Sequence, residues 1–165
     1  MRFIILFVLA IAVLALLLLI AGQLGFLRGK APQDLGLTEG KLKRPSRTQN
    51  SVSSQAQLWA DHPELAYASI APFKATSDGS SEMKKIAEAL AAMPRTAIVK
   101  QEPGYIYAQS TTQLLKFTDD VEFLVDTSKG IIDVRSASRI GQKDFGVNRA
   151  RIESIRTALG QTPAP

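Results

Sequence analysis

The feature that most constrains this chain is an apolar run near its start, from Phe3 to Gly22. The run has no charged and no polar side chain, and as a helix its residues would extend about 30 Å, the thickness of a bilayer's hydrocarbon core. A cleaved signal peptide would have a shorter apolar core and a small-x-small site, which Ala21-Gly22-Gln23 matches poorly. We therefore predict an uncleaved transmembrane anchor over residues 1–22, with the lipid bilayer as a partner of residues 3–22.

Composition excludes several classes of protein. The 165 residues suit one small domain beside the anchor. The chain has no cysteine and a single histidine, His62. A disulfide framework, a zinc ribbon, a thiolate-held iron–sulfur cluster and a multi-His metal site are therefore excluded. A Ser-His-Asp triad is disfavoured, and neither a cofactor nor a metal site is predicted.

Charge is unevenly distributed along the chain. Residues 23–60 carry +4, residues 61–134 carry −4 and residues 135–165 carry +4, within a total of +5. The stretch 23–57 is rich in Gly, Pro and Ser and shows no persistent period, so we predict a basic juxtamembrane linker and a Ser-rich loop. Its basic side chains either lie near anionic headgroups or are simply solvated. They lack interleaved aromatic residues, so no nucleic-acid partner is predicted.

The following residues, 58–160, are predicted to form an α+β domain in which two helices pack on an antiparallel four-stranded sheet. Residues 161–165 are predicted to be a frayed tail. Alternating or β-branched segments separated by turn residues predict two hairpins. Their strands are Thr96–Glu102, Tyr105–Thr111, Val121–Asp126 and Ile131–Ser136.

Helical spacing of apolar residues predicts the two helices. The first follows capping residues at Asp78–Ser81 and is stopped by Pro94. The second begins with Asn148 as its N-cap, carries a narrow apolar stripe and ends at Gly160.

A four-residue loop fixes the register of the second hairpin. Val121, Phe123 and Val125 then share one face with apolar residues of the last strand, and a one-residue slip would expose them. The predicted pairs are Asp126 with Ile131, Val125 with Ile132, Phe123 with Val134 and Glu122 with Arg135.

An acidic cluster precedes the third predicted strand. Adjacent carboxylates such as Asp119 and Asp120 can bind a divalent cation or act as an acid/base pair. The structural alternative, which we favour, is a turn at Asp119-Asp120 followed by a cross-strand ion pair between Glu122 and Arg135. If strand structure has already begun, the two aspartates point in different directions.

Basic residues are concentrated in the last predicted strand and after it. Arginine forks suit carboxylate or phosphate ligands, and backbone N–H groups at a helix start would help to hold an anion. Alternatively, Arg135 and Arg139 pair internally with the acidic middle block. The residues predicted to contact a ligand are Asn50, Ser53, Ser54, Asp119, Asp120, Arg135, Ser136, Arg139, Asn148 and Arg149.

Four segments are distinctive when taken together: Asn50-Ser51-Val52-Ser53-Ser54-Gln55, Phe117-Thr118-Asp119-Asp120-Val121-Glu122-Phe123, Val134-Arg135-Ser136-Ala137-Ser138-Arg139-Ile140-Gly141 and Asp144-Phe145-Gly146-Val147-Asn148-Arg149-Ala150-Arg151-Ile152-Glu153. Over roughly residues 35–159 the chain resembles the family catalogued as domain of unknown function 1499. The resemblance implies a membrane-attached or exported protein of bacteria or plastids, and it implies no reaction and no ligand. If the family has a site, the four segments should converge in space.

One departure from the family bears on location. Many members carry Cys-Pro and then Pro-Asn-Cys ahead of Val-Ser-Ser, whereas this chain has Arg44-Pro45 and Gln49-Asn50 without either cysteine. Paired cysteines in relatives indicate an oxidising compartment. The resemblance therefore implies a bacterial inner-membrane protein with a periplasmic domain, whereas the basic residues after the anchor favour a cytoplasmic domain.

The function predicted first is a non-catalytic binding or interaction domain held at the membrane surface, with a membrane protein or a small anionic ligand as its partner. A second hypothesis is a metal- or serine-dependent hydrolase that uses Asp119, Asp120 and a serine of the Ser51–Ser54 loop. No familiar serine-hydrolase motif accompanies those serines. A third hypothesis is an accessory structural subunit of a membrane complex.

Overall fold

A computed structural model of the chain describes residues 1–36 and 38–162. The helices are α1 (Arg2–Gln23), α2 (Leu65–Ala68), α3 (Ser80–Ala92) and α4 (Val147–Ala158), with a 3₁₀ turn at Ala56–Leu58. The strands are β1 (Ser51–Ser53), β2 (Phe73–Lys74), β3 (Thr96–Glu102), β4 (Tyr105–Thr111), β5 (Thr118–Asp126) and β6 (Ile131–Ser138).

Helix α1 contains the apolar run. It is long and apolar enough to cross a membrane, with a mean hydropathy of 3.6. Its large apolar side chains are exposed, and only Gly22 is buried. These properties are those of a membrane anchor or a signal sequence.

The strands form one antiparallel sheet in the order β1-β6-β5-β4-β3, and β2 also pairs with β6. The α+β class and the antiparallel sheet are confirmed, whereas the prediction of four strands and two packing helices was wrong. The strands not predicted are β1 and β2, which are three and two residues long. Segments of this length are too short to show an alternating pattern. Only their pairing with β6 defines them as strands.

The two predicted hairpins are confirmed. β3 and β4 have the predicted bounds, and β5 pairs with β6 in the predicted register. β5 begins at Thr118, three residues before the predicted start, and β6 ends at Ser138 instead of Ser136. Asp119 and Asp120 therefore lie in a strand, and the predicted turn at these two residues was wrong.

The hydrophobic core lies between one face of the sheet and helices α3 and α4. Phe73 and Phe123 meet edge to face there, with ring centroids 5.7 Å apart. The predicted apolar face of the second hairpin belongs to this core. The remaining fully buried core side chains include Val52, Ile86, Leu90, Ile106, Val121, Ile132, Val134 and Ile152.

Helix α4 does not begin as predicted. Its N-cap is Gly146, with a φ of 84°, and Asn148 lies inside the first turn and is fully buried. The carboxylate of Asp144 accepts the N–H groups of Gly146 and Asn148 at 3.0 and 2.9 Å. A carboxylate outside the helix thus supplies the capping oxygen, which leaves the Asn148 amide available for other contacts.

The other face of the sheet is polar and is covered by described residues between α1 and β1, among them Gly36 and Leu42. The Gly36 N–H donates to Glu122 at 2.7 Å, and Leu42, which is 2% exposed, donates its N–H to Gln55. At the opposite end of the chain, Gln161 exchanges two hydrogen bonds with the backbone of Lys74. Residues 163–165 of the predicted frayed tail lie outside the described residues.

Candidate functional site

Successive residues of β5 direct their acidic side chains to opposite faces of the sheet. Asp119 faces helix α4, whereas Asp120 and Glu122 face the polar side. The alternation follows from the pleat of a strand. The prediction that the two aspartates point in different directions is confirmed, and they do not share a proton.

On the helix face, Asp119 belongs to a buried network. Arg151 of α4 donates from Nη2 to Asp119 at 2.6 Å, and its Nη1 donates to Ser136 and to Asn148 at 2.9 and 2.7 Å. Ser136 also donates to the Asn148 Oδ1 at 2.6 Å. The network joins β5, β6 and α4 at the edge of the core.

The amide of Asn148 connects this network to Asn50, the residue before β1. Its Nδ2 donates to the Asn50 carbonyl at 3.1 Å, to the Ser138 hydroxyl at 3.1 Å and to Asp144 at 2.8 Å. Tyr67 donates its hydroxyl to the other oxygen of Asp144. The four distinctive segments, at residues 50–55, 117–123, 134–141 and 144–153, therefore converge in space.

On the polar face, Glu122 and Arg135 form a buried ion pair with Nη1 and Oε2 3.4 Å apart. The predicted cross-strand pair is confirmed, and Glu122 also accepts the Tyr105 hydroxyl at 2.9 Å. Within the described part of the chain, the Nε of Arg135 has no hydrogen-bond partner. Burial lowers the pKa of the Arg135 guanidinium, although the charge of Glu122 opposes that shift.

A second ion pair on the polar face joins Asp120 to Arg139. Arg139 donates from Nη2 at 2.8 Å and from Nε at 3.0 Å, and the Tyr107 hydroxyl donates to the same carboxylate at 2.6 Å. Both side chains of the ion pair are less than a tenth exposed. The two pairs account for the buried charge of β5 on this face, and Asp126 at the end of the strand pairs with Lys129.

All three tyrosines of the chain donate to carboxylates. Burial raises the pKa of Tyr67, Tyr105 and Tyr107, and the neighbouring carboxylates add to the shift. The phenols therefore stay protonated above their usual pKa, which keeps them hydrogen-bond donors to Asp144, Glu122 and Asp120.

Each residue that the sequence predicts to contact a ligand has an intramolecular hydrogen bond. Arg149, for example, donates to the carbonyls of Tyr67 and Ser69 at 2.8 and 2.6 Å. Ser54 donates to Asp133 at 2.6 Å, and Ser53 accepts the Gln55 N–H at 3.1 Å. The internal pairing that the sequence left open for Arg135 and Arg139 is present, and the ligand role of the ten residues stays a prediction.

The groups required by the hydrolase hypothesis are not assembled. Ser51 pairs with Ala137, which pairs with Asp120, so two strand spacings of about 5 Å each separate Ser51 from Asp120. Asp119 lies on the opposite face. Over residues 1–36 and 38–162, no three His, Cys, Asp or Glu side chains are grouped to hold a metal ion.

The sequence model of a known family matches residues 41–159, and its description is a protein of unknown function (DUF1499). The match covers more than half of the chain. The chain belongs to the DUF1499 family. The resemblance predicted from the four segments is thereby confirmed. No curated protein matches the chain.

Sequence reasoning missed a different feature of this DUF1499 domain, at the end of the sheet that adjoins α1. Gln23 donates to the Leu114 carbonyl at 2.8 Å. A Cβ added to Gly22 would lie 2.8 Å from the Cα and carbonyl oxygen of Leu115, so only glycine permits the close approach. The β4–β5 loop (residues 112–117) and the β6–α4 loop (residues 139–146) lie together here, and we call this region the anchor end.

Apolar side chains are exposed at the anchor end. Phe145 is 92% exposed and has a φ of 53°, a left-handed conformation that is rare for a bulky residue. Leu114 and Val147 are 63% and 48% exposed. The signal available in the sequence was the solitary Phe145 between turn residues, but nothing in the sequence alone places it at the same end of the sheet as Leu114.

Proposed function

We propose that this chain is a single-pass membrane protein whose α+β domain rests its anchor end on the bilayer and acts there as a non-catalytic binding or interaction domain. The observation that carries the proposal is the position of the exposed apolar side chains. Leu114 and Phe145 lie on the loops next to the end of α1, so a bilayer crossed by α1 would meet them first. Burial in lipid would remove both side chains from water.

Charge supports the same orientation. Lys116 and Lys143 lie on the two loops of the anchor end, and Arg28 precedes Gly29, which approaches Arg139 and Ile140 of the β6–α4 loop. Basic side chains at a bilayer surface attract anionic headgroups.

Of the acidic residues at the anchor end, Asp119 and Asp144 are buried and hydrogen-bonded. Glu64, which is half-buried and lies in a cavity with Lys143, accepts a hydrogen bond from Gln49. The exposed charge at this end is therefore predominantly basic.

The absence of cysteine from the chain makes a site-specific test possible. The full chain is reconstituted in vesicles that contain anionic phospholipid, with one spin label on Phe145→Cys or, as the matched control, on Thr127→Cys. Thr127 is exposed in the β5–β6 loop, at the far end of a nine-residue strand and thus about 30 Å from the anchor end.

We expect the label at residue 145 to be accessible to oxygen and protected from a water-soluble nickel complex, and the label at 127 to show the reverse. Equal access of the nickel complex to both labels would refute the proposed orientation. Sidedness is a separate part of the proposal. It places the domain in the periplasm, with the anchor in the bacterial inner membrane. A C-terminal fusion to a reporter that works only outside the cytoplasm should then be active.

A further inference from the structure

We propose that a pocket at the anchor end binds one acyl chain of an anionic phospholipid, with Lys143 beside the phosphate. The pocket lies between the β4–β5 and β6–α4 loops and has a volume of about 320 Å³. This is at the small end of the range of ligand pockets, about 300–1,000 Å³. The inference rests on the proposed function, because the bilayer is the source of the ligand.

The walls of the pocket are predominantly apolar. The large apolar side chains of the lining are Phe117, Ile140, Phe145 and Val147, and Thr112, Ser138 and Gly141 also line the pocket. The four large apolar side chains come from both loops of the anchor end and from the first turn of α4. An apolar wall made by three separate segments encloses more of a hydrocarbon chain than a flat exposed patch does.

The carboxylates in the lining do not make the pocket acidic. Asp119 is paired with Arg151 at 2.6 Å, and Asp144 accepts hydrogen bonds from Tyr67 and Asn148. Both residues are at most 9% exposed. Because their charges and lone pairs are directed to internal partners, they leave an apolar interior that suits hydrocarbon better than a polar ligand.

Lys143 supplies the charge complementarity for a lipid headgroup. It lines the pocket, its residue is exposed, and it forms no salt bridge with any described residue. A phosphate beside Lys143 would leave the acyl chain of the same lipid directed between Ile140 and Val147. The arrangement matches an amphiphile with an anionic head.

Location distinguishes this pocket from a larger groove beside helix α3. That groove has a volume of about 660 Å³ and is lined by Met83, Ala87, Ile98 and Pro103, among others. The Pro103-Gly104 turn lies at the opposite end of β4 from the loop that contacts α1. A bilayer crossed by α1 therefore supplies an occupant for the anchor-end pocket and none for the larger groove.

The test uses the full chain in vesicles containing an anionic phospholipid with a photoactivatable group near the end of one acyl chain. After irradiation, labelled residues are located by mass spectrometry. We expect labels in α1, from the surrounding bilayer, and additional labels on Phe117, Ile140 or Val147. Val147→Trp fills the pocket and should abolish the domain labels while the α1 labels remain.

Val99→Trp is the matched control, because Val99 is 54% exposed on β3 and lies away from the pocket. It should leave all labels in place. Lys143→Glu provides a second test that leaves the pocket unfilled, and it should reduce the domain labels from the anionic lipid but not those in α1. Wild-type labelling confined to α1 would refute the pocket assignment.

The spin label at residue 145 separates the two proposals. If that label is in lipid but the domain carries no acyl-chain label, the pocket assignment fails and the surface orientation survives. If the label is in water, the proposed function fails together with the inference that rests on it.

Discussion

Glu122 is a charged residue that the sheet has buried completely. Its carboxylate accepts hydrogen bonds from Arg135, Tyr105 and the Gly36 backbone. Removing one partner of a buried ion pair leaves the other charge uncompensated, which costs far more than the loss of an exposed pair. The buried acidic residues of β5 therefore contribute mainly to the stability of the fold.

Glu122→Ala should lower the free energy of unfolding by about 3–5 kcal/mol, because Arg135 would remain buried without its counter-charge. Urea denaturation of the full chain in mild detergent measures the change. Glu102→Ala is the matched control, since its ion pair with Lys100 is about half exposed on both sides. We expect the control to cost about 0–1 kcal/mol, and equal losses for the two variants would contradict the structure.

The tyrosines give a prediction at alkaline pH. Because burial and the carboxylates raise the folded-state pKa of Tyr67, Tyr105 and Tyr107, their neutral forms stabilise the fold below the ordinary pKa of 10. That stabilisation is lost as the pH rises through the higher folded-state values. Absorbance at 295 nm should show less tyrosinate near pH 10 in the folded chain than in denaturant, where all three phenols ionise near their ordinary pKa.

A tyrosine that ionises near pH 10 while the fold is intact would contradict the hydrogen bond assigned to it. Tyr→Phe variants taken one at a time identify which of the three is responsible. The remaining two phenols of each variant are its internal control, since they keep their own carboxylates.

At the scale of elements, the pattern of apolar and turn residues predicted the strands whose own residues favour strand structure. β3 and β4 have apolar and β-branched residues around the Pro103-Gly104 turn, so their bounds were predictable. The start of β5 was not, because aspartates are poor strand residues. Asp119 and Asp120 are accommodated there by Arg151 and Arg139, which are distant in sequence.

The candidate site was also predictable only in part from the sequence. The chain contains the four family segments as separate motifs, and their convergence followed from the resemblance. The helix start at Asn148 was predicted wrongly because asparagine favours the N-cap, whereas the Asp144 carboxylate takes that role. The anchor-end pocket could not be predicted, since its walls come from loops whose proximity depends on the whole sheet.

The cap of α4 makes its stability depend on pH. Burial raises the pKa of Asp144, but hydrogen bonds from Tyr67, Asn148 and Gly146 outweigh burial, so the folded-state pKa lies below the ordinary 3.8. The ionised form therefore stabilises the fold above pH 3.8, and this contribution is lost as the pH falls through the lower folded-state value. Asp144→Asn should be less stable than wild type at neutral pH and should lose less stability on acidification.

Urea denaturation at a series of pH values from neutral to acid measures this difference. Glu88→Gln, at an exposed position of α3, is the control and should follow the wild-type dependence. An Asp144→Asn curve parallel to wild type across the acid range would show that Asp144 does not contribute the titration assigned to it.

At the scale of the whole molecule, the apolar helix, the exposed Phe145 and the basic residues lie at one end. The contact that aligns them is the approach of Gly22 to the backbone of Leu115, together with the hydrogen bond from Gln23 to Leu114. A flexible connection would allow the domain any orientation. The close contact instead holds the anchor end toward the side from which α1 leaves the domain.

Gly22→Val should uncouple the domain from α1. The added Cβ would lie 2.8 Å from the Cα and carbonyl oxygen of Leu115, which are backbone atoms and cannot turn aside as a side chain would. Helix α1 stays apolar, so the variant should remain in the membrane while the spin label on Phe145→Cys becomes more accessible to the nickel complex. Ala15→Val, an exposed position of α1, is the matched control and should leave the label in lipid. An unchanged depth of the label in Gly22→Val would show that the loops hold the bilayer on their own, without the contact to α1.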